Sequence, residues 1–329
     1  MGGTRPMTAP VLSVQGVSKT YTQRAGLFGR ASRTYALRDV SFDLRAGEIL
    51  GLVGESGSGK TTVGRIAMRL VEPSEGEIHL AGQDVTALSG AALRPMRRRI
   101  QLIFQDPSAS LNPRQTIRQI LRTPLRLRGI TDDAEIVRML AIIGMGAEAL
   151  DRTPAMFSGG QRQRLSIARA LLMNPDIIVA DEAVSALDVC VQAQVVNLLL
   201  DLRDQFGLSI LFIGHDLGVV GLISDRVGVM FRGSLVEIAP SRELFERPRH
   251  PYTARLLAAA PRQGGKLTPH AEVDAGRLFP TSTEGCAFAA LCSHAITECR
   301  TTRPVMRETA PDHWTACRRA DLDLRPTHC

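Results

Sequence analysis

Aromatic side chains are scarce, 4% of 329 residues, with one tryptophan and three tyrosines. That scarcity argues against a face that holds single-stranded nucleic acid, where aromatic rings stack on successive bases. Long hydrophobic runs are missing as well. The longest apolar region, Ser209 to Phe231, is broken by His215, Asp216, Asp225 and Arg226. It is expected to form two buried strands joined by a polar switch and not a bilayer span. The opening MGGTRPMTAP lacks the apolar core of a secretory signal. The expectation is therefore a chain that stays in the cytoplasm, with any membrane association peripheral. Cysteine is sparse too: of six, Cys190 stands alone and Cys286, Cys292, Cys299, Cys317 and Cys329 crowd the last fifth. In a reducing compartment such clustering points to metal before disulfides.

What is present is ordinary for a globular protein: 44% hydrophobic and 22% charged residues, in a length that holds one large domain or two unequal ones. A net charge of +7 suits nucleic acid, acidic lipid or nucleotide and does not choose among them.

The stretch ILGLVGESGSGKTT, residues 49–62, organises the chain. Ile49, Leu50, Leu52 and Val53 are a buried parallel strand in miniature, and Gly54 to Thr61 then keep the spacing G-x-x-x-x-G-K-[ST]. Glycines at 54, 57 and 59 let successive backbone N–H groups turn onto one anion, at the positive end of a helix expected over 61–70. Lys60 would reach the β- and γ-phosphates, and Thr61 would give its hydroxyl to Mg²⁺.

Ahead of this loop, residues 11–21 alternate as an antiparallel strand, 22–34 are Gly- and Arg-rich and expected to be loop, and 41–44 alternate again. Tyr21 could stack on an adenine ring or simply pack. Residues 75–80 form a turn and strand, and the basic run 94–99 is a solvated face before the strand 100–104. From 115 to 144 the apolar spacing is helical. Ser158 is a good N-cap for a helix to Leu172, and Ser158-Gly159-Gly160 would present bare N–H groups to an anion. Ile177 to Ala180 make a second buried strand ending in Asp181-Glu182. Asp181 stands where Mg²⁺ needs a charge, and Glu182 is free to deprotonate an attacking water. Residues 185–188 lead a helix to Phe206. A third strand, 209–213, ends at Gly214-His215, which places His215 for a phosphate contact.

In this order the residues resemble the ATP-binding cassette family of transport ATPases over roughly Val11 to Pro261. Gly54 to Thr61 match its Walker A motif, Gln105 its Q-loop, Ser158-Gly159-Gly160-Gln161 its signature, Asp181-Glu182 its Walker B end, Ser185 to Asp188 its D-loop, His215 its switch histidine and Tyr21 its A-loop aromatic. The resemblance implies an α/β P-loop fold for residues 10–248: a RecA-like parallel-sheet core, an antiparallel β subdomain and an inserted helical subdomain at about 106–165. It implies ATP on Tyr21, Gly54, Glu55, Ser56, Gly57, Ser58, Gly59, Lys60, Thr61 and Thr62, and Mg²⁺ through Thr61, Gln105 and Asp181. Glu182 becomes the general base, His215 the holder of the γ-phosphate and water, and Gln105 the γ-phosphate sensor. Two cassettes would close head to tail, so that Ser158, Gly159, Gly160 and Gln161, with Asp188 nearby, act on the partner's ATP. Phe157, Ala183 and Cys190 depart from the usual leucine, proline and serine, and none removes a charge or a phosphate ligand.

The tail narrows the resemblance. Arg249-His250-Pro251-Tyr252-Thr253 is similar to the segment opening the C-terminal extension, here 249–329, of oligopeptide and dipeptide importer ATPases. Cys286, Cys292, Cys299 and Cys317, separated by five, six and seventeen residues, resemble the pattern that holds a [4Fe–4S] cluster in that subfamily. Thiolates suit iron–sulfur or zinc, and the absence of C-x₂-C pairs tilts toward the cluster. Cys329 reads as a spare thiol and Cys190 as a small core residue. The implied partners are a second cassette subunit, two transmembrane permease subunits and an extracytoplasmic binding protein, with the chain on the cytoplasmic face of the membrane. Nickel, opine, glutathione and antimicrobial-peptide importers use similar ATPases. A nucleic-acid-associated cassette is the more distant alternative, and no nucleic acid partner is expected, because only 59 to 158 separates phosphate loop from signature.

Overall fold

A computed structural model describes residues 9–24, 31–107, 110–259 and 284–325; Cys329 lies outside them. The core starts from β3 (Ile49–Val53), whose every residue is buried. A strand with no polar face must be covered on both sides, which is the condition of a parallel sheet between layers. Accordingly β3 pairs in parallel with β8 (Ser209–Ile213) and β9 (Arg226–Phe231). Beyond β8 come β7 (Ile177–Asp181) and β6 (Ile100–Ile103), also parallel.

A second, antiparallel sheet takes β1 (Leu12–Arg24), β2 (Ala31–Leu44), β4 (Glu75–Leu80) and β5 (Gln83–Asp84) in the order β2-β1-β4-β5. Here the expectation of a loop over 22–34 fails at 22–24 and 31–34, while 25–30 lie outside the described residues. Strand β1 runs on to Arg24 and β2 resumes at Ala31, with Tyr21 opposite Thr34 and Thr22 opposite Arg33. Ladder hydrogen bonds across the hairpin override a composition that looks like loop. Helix α1 (Lys60–Ala67) and β2 lie over one face of the core sheet, where Leu12, Leu37, Leu50, Ile66, Val179 and Leu211 share a core.

The other face carries the helical lobe. That lobe is built from α3 (Ile117–Arg128), α4 (Ala134–Ile142) and α5 (Gly159–Leu171), which precede β7, whereas α2 (Leu93–Arg99), whose Met96 packs on the core beneath α1, leads into β6. Thr116 and Gln119 close a reciprocal capping box at the start of α3, satisfying two otherwise orphaned N–H groups. The basic run is not purely solvated: Arg97 donates to the Arg69 carbonyl at 2.7 Å and Arg99 pairs with Asp176 at 2.5 Å. Helix α6 (Val189–Phe206) follows β7, and Cys190 at its start is exposed. It is therefore not the core residue its small size suggested. Between β8 and β9 the polar switch is a short helix, α7 (Leu217–Ile223), whose N-terminus Asp216 caps by accepting from Gly218 N and Val219 N.

After β9, β10 (Ser234–Pro240) turns back antiparallel, followed by α8 (Ser241–Glu246) and α9 (Pro251–Ala259). The tail contributes α10 (Thr297–Thr301), β11 (Arg307–Ala310) and β12 (His313–Thr315). Strand β12 pairs with β10, so the tail extends the core sheet to eight strands, β11-β12-β10-β9-β3-β8-β7-β6. Glu237 of β10 fastens this junction. Wholly buried, its carboxylate accepts from Arg249 N at 2.6 Å and His250 N at 3.0 Å, and pairs with His313 Nε2 at 2.7 Å. A buried carboxylate is tolerated when its oxygens are this fully occupied. No helix among the described residues is long and apolar enough to cross a membrane.

Candidate functional site

The site lies where β3, β7 and β8 end. The carboxyl ends of parallel strands, with a helix N-terminus beside them, form the natural crevice for an anionic ligand. Residues 54–59 link β3 to α1, and Gly54 takes φ +149° with its Cα against β9: a Cβ there would stand 2.2 Å from the Met230 carbonyl oxygen. Gly59, at φ +102°, has the same constraint from β2, with Leu37 and Ala36 inside 3 Å of an added Cβ. Side chains at these two points would push the loop off its supports.

Lys60 is buried, and its ammonium donates to the carbonyls of Gly54 at 2.7 Å and Glu55 at 2.9 Å. Burial lowers its pKa, opposed by the charges of Glu182, Asp181 and Glu55. Thr61 Oγ1 donates to Asp181 Oδ1 at 3.0 Å. Burial raises the pKa of Asp181, against the Thr61 hydrogen bond and the Arg65 charge. A hydroxyl and a carboxylate at this separation are the hard oxygen donors Mg²⁺ prefers. Next to Asp181, Glu182 adopts a left-handed φ of +49°, a conformation that costs a non-glycine residue roughly 1–3 kcal/mol. The strain is held by Glu182 N donating to the Ile213 carbonyl at 2.9 Å and by the Ser185 hydroxyl on the Glu182 carbonyl at 2.9 Å. The result turns the carboxylate toward His215, Oε2 to Nδ1 3.7 Å.

The remaining sequence-predicted residues divide. Gln105 is exposed two residues past the end of β6, the strand that pairs with β7. Tyr21 is 45% exposed on β1, with the Lys19 ammonium 5.1 Å from its ring centroid. Ser158 caps α5 through a box in which its Oγ accepts from Gln161 N and its own N–H donates to Gln161 Oε1. Helix α5 packs on β6, α3 and α6, whereas α1 packs on β7, β8 and β2, so signature and phosphate loop belong to different lobes of this chain. Gly160 cannot carry a Cβ, which would meet Val191 Cγ1 at 2.3 Å. Asp188 caps α6, accepting from Val191 N at 2.9 Å.

One contact has no counterpart in the sequence motifs. Tyr252, 1% exposed, accepts the Glu55 N–H at 3.3 Å on its phenolic oxygen. Sequence reasoning singled out His250-Pro251-Tyr252 only as a marker of kinship.

The four tail thiols come together. Cys286, Cys292, Cys299 and Cys317 line one small cavity with His250 and Phe288. Backbone N–H groups of Phe288 and Ala289 favour a charged Cys286 sulfur, that of His294 does so for Cys292, and Arg319 N donates to Cys317 Sγ at 3.3 Å. Burial nevertheless raises the pKa of Cys286, Cys292 and Cys317, the last to about 11. A zinc ion about 2.3 Å from four sulfurs would draw them to within about 4 Å of each other. Among the described residues no three metal-ligating side chains are gathered in that way. The cavity is about 20 Å³, room for about one water. Sulfur is a soft donor, but as placed these four side chains are not gathered as ligands of one ion, and they would have to move to enclose an ion or a cluster.

Comparisons with known proteins agree with this geometry. Residues 37–185 match the family model for the ABC transporter, and 236–299 match that for the oligopeptide/dipeptide transporter C-terminal region. A Brucella ovis protein named for peptide import and ATP binding is 47% identical over 319 residues, 95% of this chain and 99% of its own. The chain belongs to the ATP-binding cassette transporter family. The oligopeptide transport ATP-binding protein AppF of Bacillus subtilis is 45% identical over 93% of this chain and 96% of its own. The glutathione import ATP-binding protein GsiA of Salmonella paratyphi A is 52% identical over 77% of this chain but only 41% of its own. Among solved structures, the dimeric ATP-binding cassette MJ0796 bound to ADP and Pi superposes with a TM-score of 0.63 at 29% identity, over 70% of this chain and 99% of that one.

Proposed function

We propose that this chain is the ATP-hydrolysing subunit of an importer of small peptides, peripheral on the cytoplasmic face of the membrane. It works as one of two cassettes beneath two transmembrane permease subunits, fed by an extracytoplasmic binding protein. The observation that carries the reading is the cluster of Lys60, Thr61–Asp181 and Glu182–His215 at the ends of three neighbouring strands.

On ATP binding, the Lys60 ammonium leaves the Gly54 and Glu55 carbonyls for the phosphates, and the N–H groups of 54–62 close on the same anion. Thr61 and Asp181, with Gln105, would hold Mg²⁺, which neutralises charge on the phosphate oxygens. Glu182 Oε takes the proton from the attacking water, and His215 orients that water and the γ-phosphate. Tyr21 stacks on the base. Ser158, Gly159, Gly160 and Gln161 lie on the partner's nucleotide with Asp188 beside them, a reading supported by the dimeric state of the MJ0796 cassette. Glu182→Gln keeps shape and removes the base. In the assembled transporter it is expected to cut turnover by about 10²–10⁴-fold while nucleotide binding persists; turnover at the parental rate refutes the assignment.

Peptide cargo is supported by the two relatives named for peptide and oligopeptide transport and by the matching C-terminal region. The likeness to the glutathione import protein favours a second reading in which that tripeptide is carried. Uptake of labelled dipeptide, oligopeptide and glutathione by cells lacking this chain separates the two. Within the extension at 249–329, we read Cys286, Cys292, Cys299 and Cys317 as ligands of a [4Fe–4S] cluster, with zinc as the alternative. The cluster would supply cross-links where the described residues after 283 offer two short strands and one short α-helix.

A further inference from the structure

The peptide unit between Gly54 and Glu55 opens the phosphate loop, and it is gripped from both ends. Its carbonyl accepts from Lys60 Nζ at 2.7 Å, and its N–H donates to Tyr252 Oη at 3.3 Å. Gly54 stands at φ +149° hard against the Met230 carbonyl, a backbone region that tolerates rotation only because no Cβ is present. When Lys60 turns to the phosphates it lets go of the carbonyl, and the phenol is then the remaining hydrogen bond on that plane. Burial raises the Tyr252 pKa, so the hydroxyl stays neutral and in place across the working range of pH.

Tyr252 is itself set by its neighbours. Its N–H donates to His250 Nδ1 at 3.0 Å. Its ring lies 4.4 Å from that of Phe231 and 5.5 Å from that of Phe288, which meets Phe231 edge-on at 5.3 Å. Phe288 and His250 are also walls of the cavity lined by the four thiols. The chain of contact runs from that cavity through Phe288 to Tyr252 and on to the first peptide of the phosphate loop.

We propose that Tyr252 is a positioning residue for the phosphate loop, and that Phe288, in the wall of the thiol cavity, acts on nucleotide affinity by holding Tyr252 in place. This rests on residues 54–61 being the phosphate site, which Lys60→Ala tests on its own. The experiment measures affinity for a fluorescent ATP analogue on the full chain, together with ATP KM and kcat in the assembled transporter, for Tyr252→Phe, Phe288→Leu and the pair.

Tyr252→Phe keeps the ring and deletes the hydroxyl, so it is expected to weaken binding about fivefold, the value of one hydrogen bond, raising KM and leaving kcat and the melting temperature close to the parent. Phe288→Leu is expected to weaken binding similarly, and the double variant by about fivefold also, because both act through one contact. Binding by Tyr252→Phe within 1.5-fold of the parent overturns the proposal, as does a double variant weakened by about 25-fold, which would make the two residues independent. Should Phe288→Leu melt early, Phe288→Met, whose unbranched and adaptable side chain can follow the ring's space, takes its place in the cycle. If Lys60→Ala also leaves affinity unchanged, the phosphate site itself has been misplaced; if it abolishes binding while Tyr252→Phe does nothing, only the role of Tyr252 falls.

Discussion

Glu48 and Arg226 form an ion pair whose side chains are 6% and 9% exposed, Oε1 to NH1 3.2 Å. Glu48 Oε2 also accepts Arg45 N at 2.7 Å, and Arg226 NH1 reaches the Asp43 carbonyl at 3.3 Å. Through Asp312 the same group joins the tail, since Arg45 grips that carboxylate twice, at 2.7 and 2.9 Å, and Arg226 Nε stands 3.6 Å from it. Glu48→Gln leaves a buried guanidinium without its nearest counter-charge, a change that costs about 3–5 kcal/mol when the pair is dry. Because Asp312 remains close, the loss is expected at the lower end, about 3 kcal/mol. Arg226→Met strands the carboxylate instead, at a similar cost. With both changed no lone charge remains, and the double variant should be less destabilised than the sum by about 2 kcal/mol. Urea unfolding followed by fluorescence is well placed to read this, for Trp314 is the sole tryptophan and sits on β12 two residues from Asp312. A loss under about 0.5 kcal/mol for Glu48→Gln, the scale of a surface pair, or strict additivity would refute the argument.

His250 is buried, and that burial pushes its pKa down to about 4 despite the Glu237 carboxylate nearby. The unfolded chain binds the proton with pKa about 6.5, so the contribution is complete above about 6.5 and lost as pH falls toward about 4. It amounts to roughly 3 kcal/mol, and urea midpoints of His250→Asn should fall less steeply over that window than those of the parent. The charged and titratable groups around it, Glu237, His313, Arg249 and the four thiols, are common to both proteins, so parallel curves would contradict the assignment. Anaerobically purified protein is expected to contain about four irons per chain with broad visible absorption; colourless protein with one zinc would replace the cluster by the alternative ion.

Much of the candidate site is legible in the sequence because each part is a short local pattern. An apolar run and G-x-x-x-x-G-K-T fix β3 and α1, and Asp181-Glu182 and His215 end runs that can only be buried strands. The helix caps at Ser158 and Asp188 are equally local. What escapes is non-local. Residues 22–24 and 31–34 look like loop until their partners across the hairpin are known. Strands as short as β11 and β12 carry no periodic signal, and their membership of the main sheet depends on β10, about seventy residues earlier in the chain. Glu237 reads as an ordinary polar residue in a strand; that it is the buried clamp for Arg249, His250 and His313 follows only from the fold. Tyr252 could be named as a marker, but its reach to Glu55 could not.

The way the last strands dock has a practical consequence for anyone shortening the gene. A protein stopped after α9, where many would place the end of the nucleotide-binding unit, uncovers the hydrogen-bonding margin of β10 together with Val236 and Ile238, both buried in the whole chain. It also strips His313 from the Glu237 carboxylate. A bare, apolar sheet margin recruits other chains, so such a fragment should precipitate or self-associate even though every motif of the candidate site is intact.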